Sequence, residues 1–331
     1  MNPTTTVLPP AAAFVLTRRL PCAALLVVML TAALWLPALL QGIPLLAMLA
    51  SAVGLGLHVL SPALVALVSF GGGAMFGLNV SGIAALAVYA LSGFELLPAL
   101  VVLSLYGLLP ILTANALRRL GGVRRSALLV AIGIGMGVLA ALLAGAMSQG
   151  VDLQAFVAQQ IAPLFAAAQA PQGDADTARM LADAKHLTSL VLPGIAAFGL
   201  WMAWWGDVVL ARNVARRYGF YRGDVASPLG IAFGKPLAYG FLAMLLLANF
   251  AGGNGQYVGI NAAIMLAGLL AVQGVAVAHS WLKARDMMLA IGLMYMMLFM
   301  WSAVIVPFVI VGLLDIWFDY RRSLNPATGG Q

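Results

Sequence analysis

The chain has 331 residues, 63% of them hydrophobic and only 8% charged, with a mean hydropathy of +1.03. Soluble domains carry about a quarter charged residues, so this composition excludes a water-soluble chain and makes lipid the solvent. The net charge of +7 does not point to nucleic acid, because the basic residues are spread over short loops with no basic, aromatic-interleaved helix face.

The first apolar run, residues 20–40, follows Arg18 and Arg19 and holds the single cysteine, Cys22. The arginine pair resembles a signal-peptide n-region or a twin-arginine signal. The run is nevertheless long enough to span the bilayer and more spans follow, so an uncleaved first helix is expected. The next span is 44–60. A longer stretch, 62–91, is interrupted by Gly71, Gly72 and Gly73 and by Asn79. Then come 94–117, ending at Arg118 and Arg119, and 126–147, following Arg124 and Arg125.

A polar stretch, 148–186, intervenes. Within it Leu153, Phe156, Val157, Ile161, Leu164 and Phe165 recur at helical spacing. This reads as an amphipathic helix on the outer membrane surface or capping the bundle. A loop is expected over 171–176. The spans resume at 187–211, ending at Arg212, Arg216 and Arg217, then at 237–250, with a start as early as 229, and at 257–282, ending at Lys283 and Arg285. Residues 287–318 are too long for one untilted span and contain Pro307. They predict two short helices or a re-entrant hairpin meeting near 302–307.

The positive-inside rule orients this layout. With every arginine pair or cluster in the cytoplasm, fourteen of the seventeen Lys and Arg lie there, and Lys235 sits at a span edge on the same side. Only Arg179 and Lys185 fall outside, in the stretch that also carries Asp152, Asp174, Asp176 and Asp183. The expectation is an all-α polytopic transmembrane bundle of eight to ten membrane helices or half-helices. It forms one integral membrane domain over 1–331, in a bacterial inner membrane. Both termini are cytoplasmic, and 148–186 is an extracytoplasmic loop. No sequence repeat marks inverted symmetry.

Motifs for cofactors are weak. Gly230 to Pro236 superficially resembles a phosphate loop, but the spacing is one residue short and Pro236 stands where Ser or Thr would hold magnesium. A lysine snorkelling from the membrane edge explains Lys235 better. Gly133, Gly135 and Gly137 lie within an apolar span without the strand a dinucleotide site needs. They read as close helix packing, as do Gly73 with Gly77 and Ala141 with Gly145. There is no metal-ligand spacing and no nucleophile elbow in the sequence, so neither cofactor, metal nor enzymatic activity is expected.

The remaining candidates are polar residues within the spans, where an ionised group costs roughly 2.5–3.5 kcal/mol on insertion scales. Glu95 lies by Gly93 near a helix start. Asp207 precedes Arg212 by about one turn and is placed to pair with it. His58 lies at a helix end beside Pro62, and His279 lies one turn before Lys283. Asn261 and Gln273 suit interhelical hydrogen bonding. Asp315 and Asp319 stand at i and i+4 on one helix face, where they could hold a metal diphosphate, although a charged cytoplasmic helix end accounts for them more simply.

The run from Asn261 through Gln273 and Gly274 to His279, then a short basic turn, then Gly312-Leu313-Leu314-Asp315 with Trp317 and Asp319, resembles the YybS-like family of bacterial multi-pass membrane proteins. That family is distantly similar to the substrate-binding subunits of energy-coupling-factor transporters, although this chain has extra C-terminal spans. The resemblance implies a non-ATPase transport component that binds a small solute in the bundle. Its implied partners are the lipid bilayer, a coupling membrane protein and ATPases, with no nucleic acid. The scarcity of buried charge favours a second reading, a scaffold or assembly factor without transport. A membrane enzyme acting on lipid-linked substrates through Asp315 and Asp319 is the third.

Overall fold

The computed structural model describes residues 8–119, 122–166, 175–223, 227 and 230–320, and among them every regular element is helical. A short α1 (Pro10–Thr17) leads into α2 (Arg19–Leu39), α3 (Pro44–Gly72) and α4 (Ala74–Leu91). The next crossing is a composite of α5 (Leu96–Val101), a π-helical segment (Val102–Leu108) and α6 (Leu109–Leu117). It is followed by α7 (Gly122–Gln149), α8 (Leu153–Ala166) and the 43-residue α9 (Ala175–Arg217). The chain continues through α10 (Lys235–Phe250), α11 (Gly253–Lys283), α12 (Met288–Met300) and α13 (Ile305–Phe318).

Seven of these runs are long and apolar enough to cross a bilayer: α2, α3, α4, the composite Leu96–Leu117, α7, most of α9, and α11. An eighth is the pair α12 and α13, bent by 118° at a short break. The chain is therefore an all-α, polytopic membrane bundle. Phe250, Leu289 and Phe299 leave most of their surface uncovered by protein. In water each such side chain would cost roughly 2 kcal/mol, whereas acyl chains solvate it.

Several boundaries differ from the hydropathy reading. The break in the first long stretch falls at Gly73, whose φ of 83° only glycine adopts at low cost. It does not fall before Pro62. Pro62 has no N–H for the His58 carbonyl, but the Ser61 hydroxyl donates to it at 2.8 Å and the helix runs on. His58 thus lies midway along α3 and not at its end. Gly73 has no neighbour a Cβ would meet, so it is a hinge rather than a packing residue, whereas Gly77 packs against Ser69 and Ile111. Helix α9 begins well before residue 187. Helix α10 starts only at Lys235, after Gly234 at φ 81°. Of the loop expected at 171–176, residues 171–174 lie outside the described residues, and Ala175 already opens α9.

The chain divides into two compact units, residues 1–134 with 200–228, and 135–199 with 229–331. In the first unit α2 and α3 touch backbone to backbone, since a Cβ on Gly54 would fall 2.7 Å from the Ala32 carbonyl oxygen. Arg118 donates to the Ser69 carbonyl at 2.6 Å and to the Phe70 carbonyl, so a cation closes the C-terminal end of α3. The Trp201 indole donates to the Ala127 carbonyl at 3.0 Å, and Ser126 to Thr113 at 2.9 Å. In the second unit α13 lies on α11 at Gly274 and Gly312, where each glycine abuts the backbone of the other helix. The glycines of α7 serve packing too: Gly133 takes the Leu109 side chain in the first unit, and in the second Gly135 takes Met265 and Gly145 the Phe156 ring.

Candidate functional site

In the second unit, a proline organises the surroundings of a polar pocket. Pro193 inside α9 has no N–H, so the Ser189 carbonyl loses its helical partner. Tyr257 on α11 fills that vacancy, its hydroxyl donating to the Ser189 oxygen at 2.8 Å. One turn on along α11, the Asn261 side chain enters the α9 ladder. Its Oδ1 accepts the Gly194 N–H at 2.7 Å, and its Nδ2 donates to the Leu190 carbonyl at 3.0 Å and to its own Tyr257 carbonyl at 2.9 Å. All four hydrogen-bonding sites of the amide need partners when buried, and three of them are accounted for here.

Helix α8 closes against these two helices. Asp152 caps it, Oδ1 accepting the Ala155 N–H at 2.7 Å, and Asn254 at the start of α11 accepts the Leu153 N–H at 3.0 Å. The face formed by Leu153, Val157 and Ile161 is buried with Ala146 and Tyr257, and Phe156 and Phe165 pack beside it, while Leu164 points away. Between the start of α8, the first half of α9 and the start of α11 lies a pocket of about 330 Å³. Its polar lining is Asp152, Gln154, His186, Asn254, Gln256 and Tyr257, and its apolar lining includes Leu190 and Ile260. Gln154 Nε2 and His186 Nε2 stand 3.4 Å apart. The pocket lining offers a carboxylate, an imidazole and several amides, groups that both donate and accept hydrogen bonds. Among the described residues no group of three or more His, Cys, Asp and Glu converges as a metal site.

The residues singled out by sequence lie elsewhere. Glu95 is exposed at the N-cap position of α5. Asp207 is buried in the first unit, and its Oδ2 has no hydrogen-bond partner among the described residues. Five residues along a helix place the Asp207 and Arg212 side chains about 140° apart around the axis. Gln273 and Asp315 are brought together: Gln273 Nε2 donates to Asp315 Oδ2 at 2.8 Å, and its Oε1 accepts the Phe233 N–H at 2.9 Å. That bond accounts for the segment after Gly230, whose Ile231 and Phe233 are buried while Lys235 is exposed. His279 faces the Tyr295 hydroxyl at 3.3 Å.

Asp319 does not share a face with Asp315. It ends α13 in the left-handed region at φ 44° and is exposed, whereas Asp315 is buried and its Oδ1 accepts the Tyr320 N–H at 3.1 Å. The left-handed turn thus leaves one carboxylate exposed and the other buried against Gln273 and the Tyr320 N–H. Arg321 and Arg322, which follow them in sequence, lie outside the described residues.

Residues 29–316 match the family of predicted membrane proteins DUF2232. The chain belongs to that family. No curated protein and no solved structure matches it. The matched span takes in every residue that lines the pocket, and Gln273, Gly274, Gly312 and Asp315 besides. The pocket of this DUF2232 member was not legible in the sequence because Asp152 and His186 lie in the polar stretch 148–186, read as an extracytoplasmic loop with an amphipathic helix. The one available signal was Asp152 directly before an apolar run of helical period, the pattern of an N-cap.

Proposed function

We propose that this DUF2232 member is a transport component of a bacterial inner membrane that binds a small polar solute and leaves energy coupling to partner proteins. The pocket between α8, α9 and α11 carries the reading. The positive-inside reading, with the basic loops cytoplasmic, supports access to that pocket from the extracytoplasmic side. The likeness to the YybS-like family and to energy-coupling-factor subunits supports partners of one kind, a coupling membrane protein with ATPases. The protein itself has a binding role and no catalytic one.

The test is gentle extraction of the tagged chain from native membranes, followed by mass spectrometry of what remains bound. The expected result is a co-purified small molecule together with stoichiometric ATPases. Asp152→Asn is expected to lower occupancy of that molecule about tenfold or more through loss of one charge-assisted hydrogen bond. Asparagine caps a helix as well as aspartate, so the melting temperature stays unchanged. Recovery of the protein empty and without ATPases sinks the reading.

A scaffold role without transport is favoured by one observation: Asn261, Gln273 and Asp315 are bonded to the bundle itself. Recovery with unrelated envelope proteins, unaffected by Asp152→Asn, would establish it.

A further inference from the structure

The first unit holds a second polar feature. His58 is equidistant from the two ends of α3, and Leu30 and Tyr106 lie near the middles of α2 and of the composite crossing. These three meet at mid-depth. His58 Nδ1 is 2.8 Å from the Leu30 carbonyl oxygen. A carbonyl only accepts, so Nδ1 carries the hydrogen and, in the neutral ring, Nε2 accepts from the Tyr106 hydroxyl at 2.6 Å. The two rings meet edge-on at 5.1 Å, and the Trp204 ring meets Tyr106 in the same way, also at 5.1 Å.

Tyr106 sits in the π-helical segment, and the Trp204 indole donates to the Leu105 carbonyl of that segment at 3.1 Å. Such segments interrupt helices frequently at functional sites. Pro110, two residues past the segment, has no N–H for the Tyr106 carbonyl, and the ladder widens so that Leu109 N–H reaches Ser104. Beside the segment, at Gly107, the fully buried Ser81 hydroxyl has no hydrogen-bond partner among the described residues.

We propose that His58 is a proton-binding site at the centre of the membrane, with Tyr106 as the residue that positions and reports its proton. Uptake of one proton at Nε2 turns that atom from acceptor to donor. The bond to Tyr106 reverses, the hydroxyl oxygen becoming the acceptor. The imidazolium then has two oxygen acceptors, the Leu30 carbonyl and the Tyr106 hydroxyl, which is the pairing an intramembrane cation requires. No covalent bond changes.

The surrounding elements bring few other ionisable groups. The π segment brings Tyr106. Helix α2 brings Cys22, about two turns before Leu30, and α9 brings Asp207, about one turn beyond Trp204, and the buried Arg212, about two turns beyond it. Helix α4 brings Tyr89 near its end, and α6 leads to Arg118, committed to the far end of α3. None of these makes a hydrogen bond or ion pair with the His58 ring except Tyr106.

The full chain, labelled with nitrogen-15 in its histidine rings and placed in lipid nanodiscs, tests this without any solute. Of its three imidazoles, His58, His186 and His279, the one lost in His58→Gln and retained in His186→Gln and His279→Gln is expected to be the Nδ1–H form at neutral pH. It is expected to take up its second proton reversibly as the pH is lowered. Tyr106→Phe is expected to move that midpoint by about half a pH unit or more, which a purely structural role for Tyr106 would not do. A His58 ring that keeps one protonation state on acidification, or a midpoint indifferent to Tyr106→Phe, overturns the proposal. The wild-type titration stands even if a variant fails to fold. Because no solute enters the experiment, its failure leaves the reading of the pocket untouched.

Discussion

Gly312→Leu is expected to undock α13 from α11 and to destabilise the second unit by more than about 3 kcal/mol, the upper end of ordinary overpacking. A Cβ at Gly312 would fall on the Leu270 carbonyl oxygen, and one at Gly274 on the Phe308 carbonyl oxygen. The obstacle is backbone on both sides, so no side chain can rotate away and the helices themselves must separate. Separation also breaks the Gln273–Asp315 bond, 2.8 Å long and adjacent to the crossing, leaving a buried carboxylate without that donor. Denaturant titration in mixed micelles measures the loss. Gly292→Leu on α12 is the control, since nothing lies within 4 Å of the Cβ position there. Equal stability of Gly312→Leu and Gly292→Leu would show that the two helices are not in backbone contact.

Asn261→Leu is expected to cost about 2–4 kcal/mol. Leucine keeps the shape but leaves the Gly194 N–H and the Leu190 carbonyl without their partner. Away from water an unmet backbone group is expensive, although single interhelical hydrogen bonds in membranes average less than about 1 kcal/mol because partners are found elsewhere. Pro193 is what makes these groups depend on Asn261, and it provides the internal test. In Pro193→Ala the ladder of α9 closes on itself, so Asn261→Leu becomes cheaper in that background. A double-mutant cycle is expected to show coupling of about 1 kcal/mol or more. Strict additivity would mean that the amide does not repair the proline break. Because Leu190 and Tyr257 also line the pocket, Asn261→Leu is further expected to lower occupancy of any co-purified solute.

These two expectations separate the residues that build the bundle from those free to act in it. Asn261, Gln273 and Asp315 attract notice as polar side chains in apolar sequence, yet each is tied to backbone or to the others. The groups that face a cavity, Asp152 and His186, come from the polar stretch between spans. His58 was misplaced by the assumption that Pro62 ends a helix, which the Ser61 hydroxyl prevents.

The sequence by itself determined that this is an all-α membrane bundle, roughly where each crossing lies, that residues 287–318 bend into two pieces, and that an amphipathic helix holds Leu153 to Phe165. Those conclusions rest on local quantities: apolar length against bilayer thickness, and the helical period of a single segment. Only the tertiary structure decided which helix faces meet. A helix in water shows its buried side as an apolar stripe, but a helix in lipid is apolar all round, and its packing side is marked by small residues and scattered polar groups that several helices share. The pairings that matter here, Asn261 with Gly194, Gln273 with Asp315 and Tyr106 with His58, join residues 67, 42 and 48 positions apart. They come into being only when those particular helices pack, because a hydrogen bond in hydrocarbon is fixed by the partner that remains once water is gone.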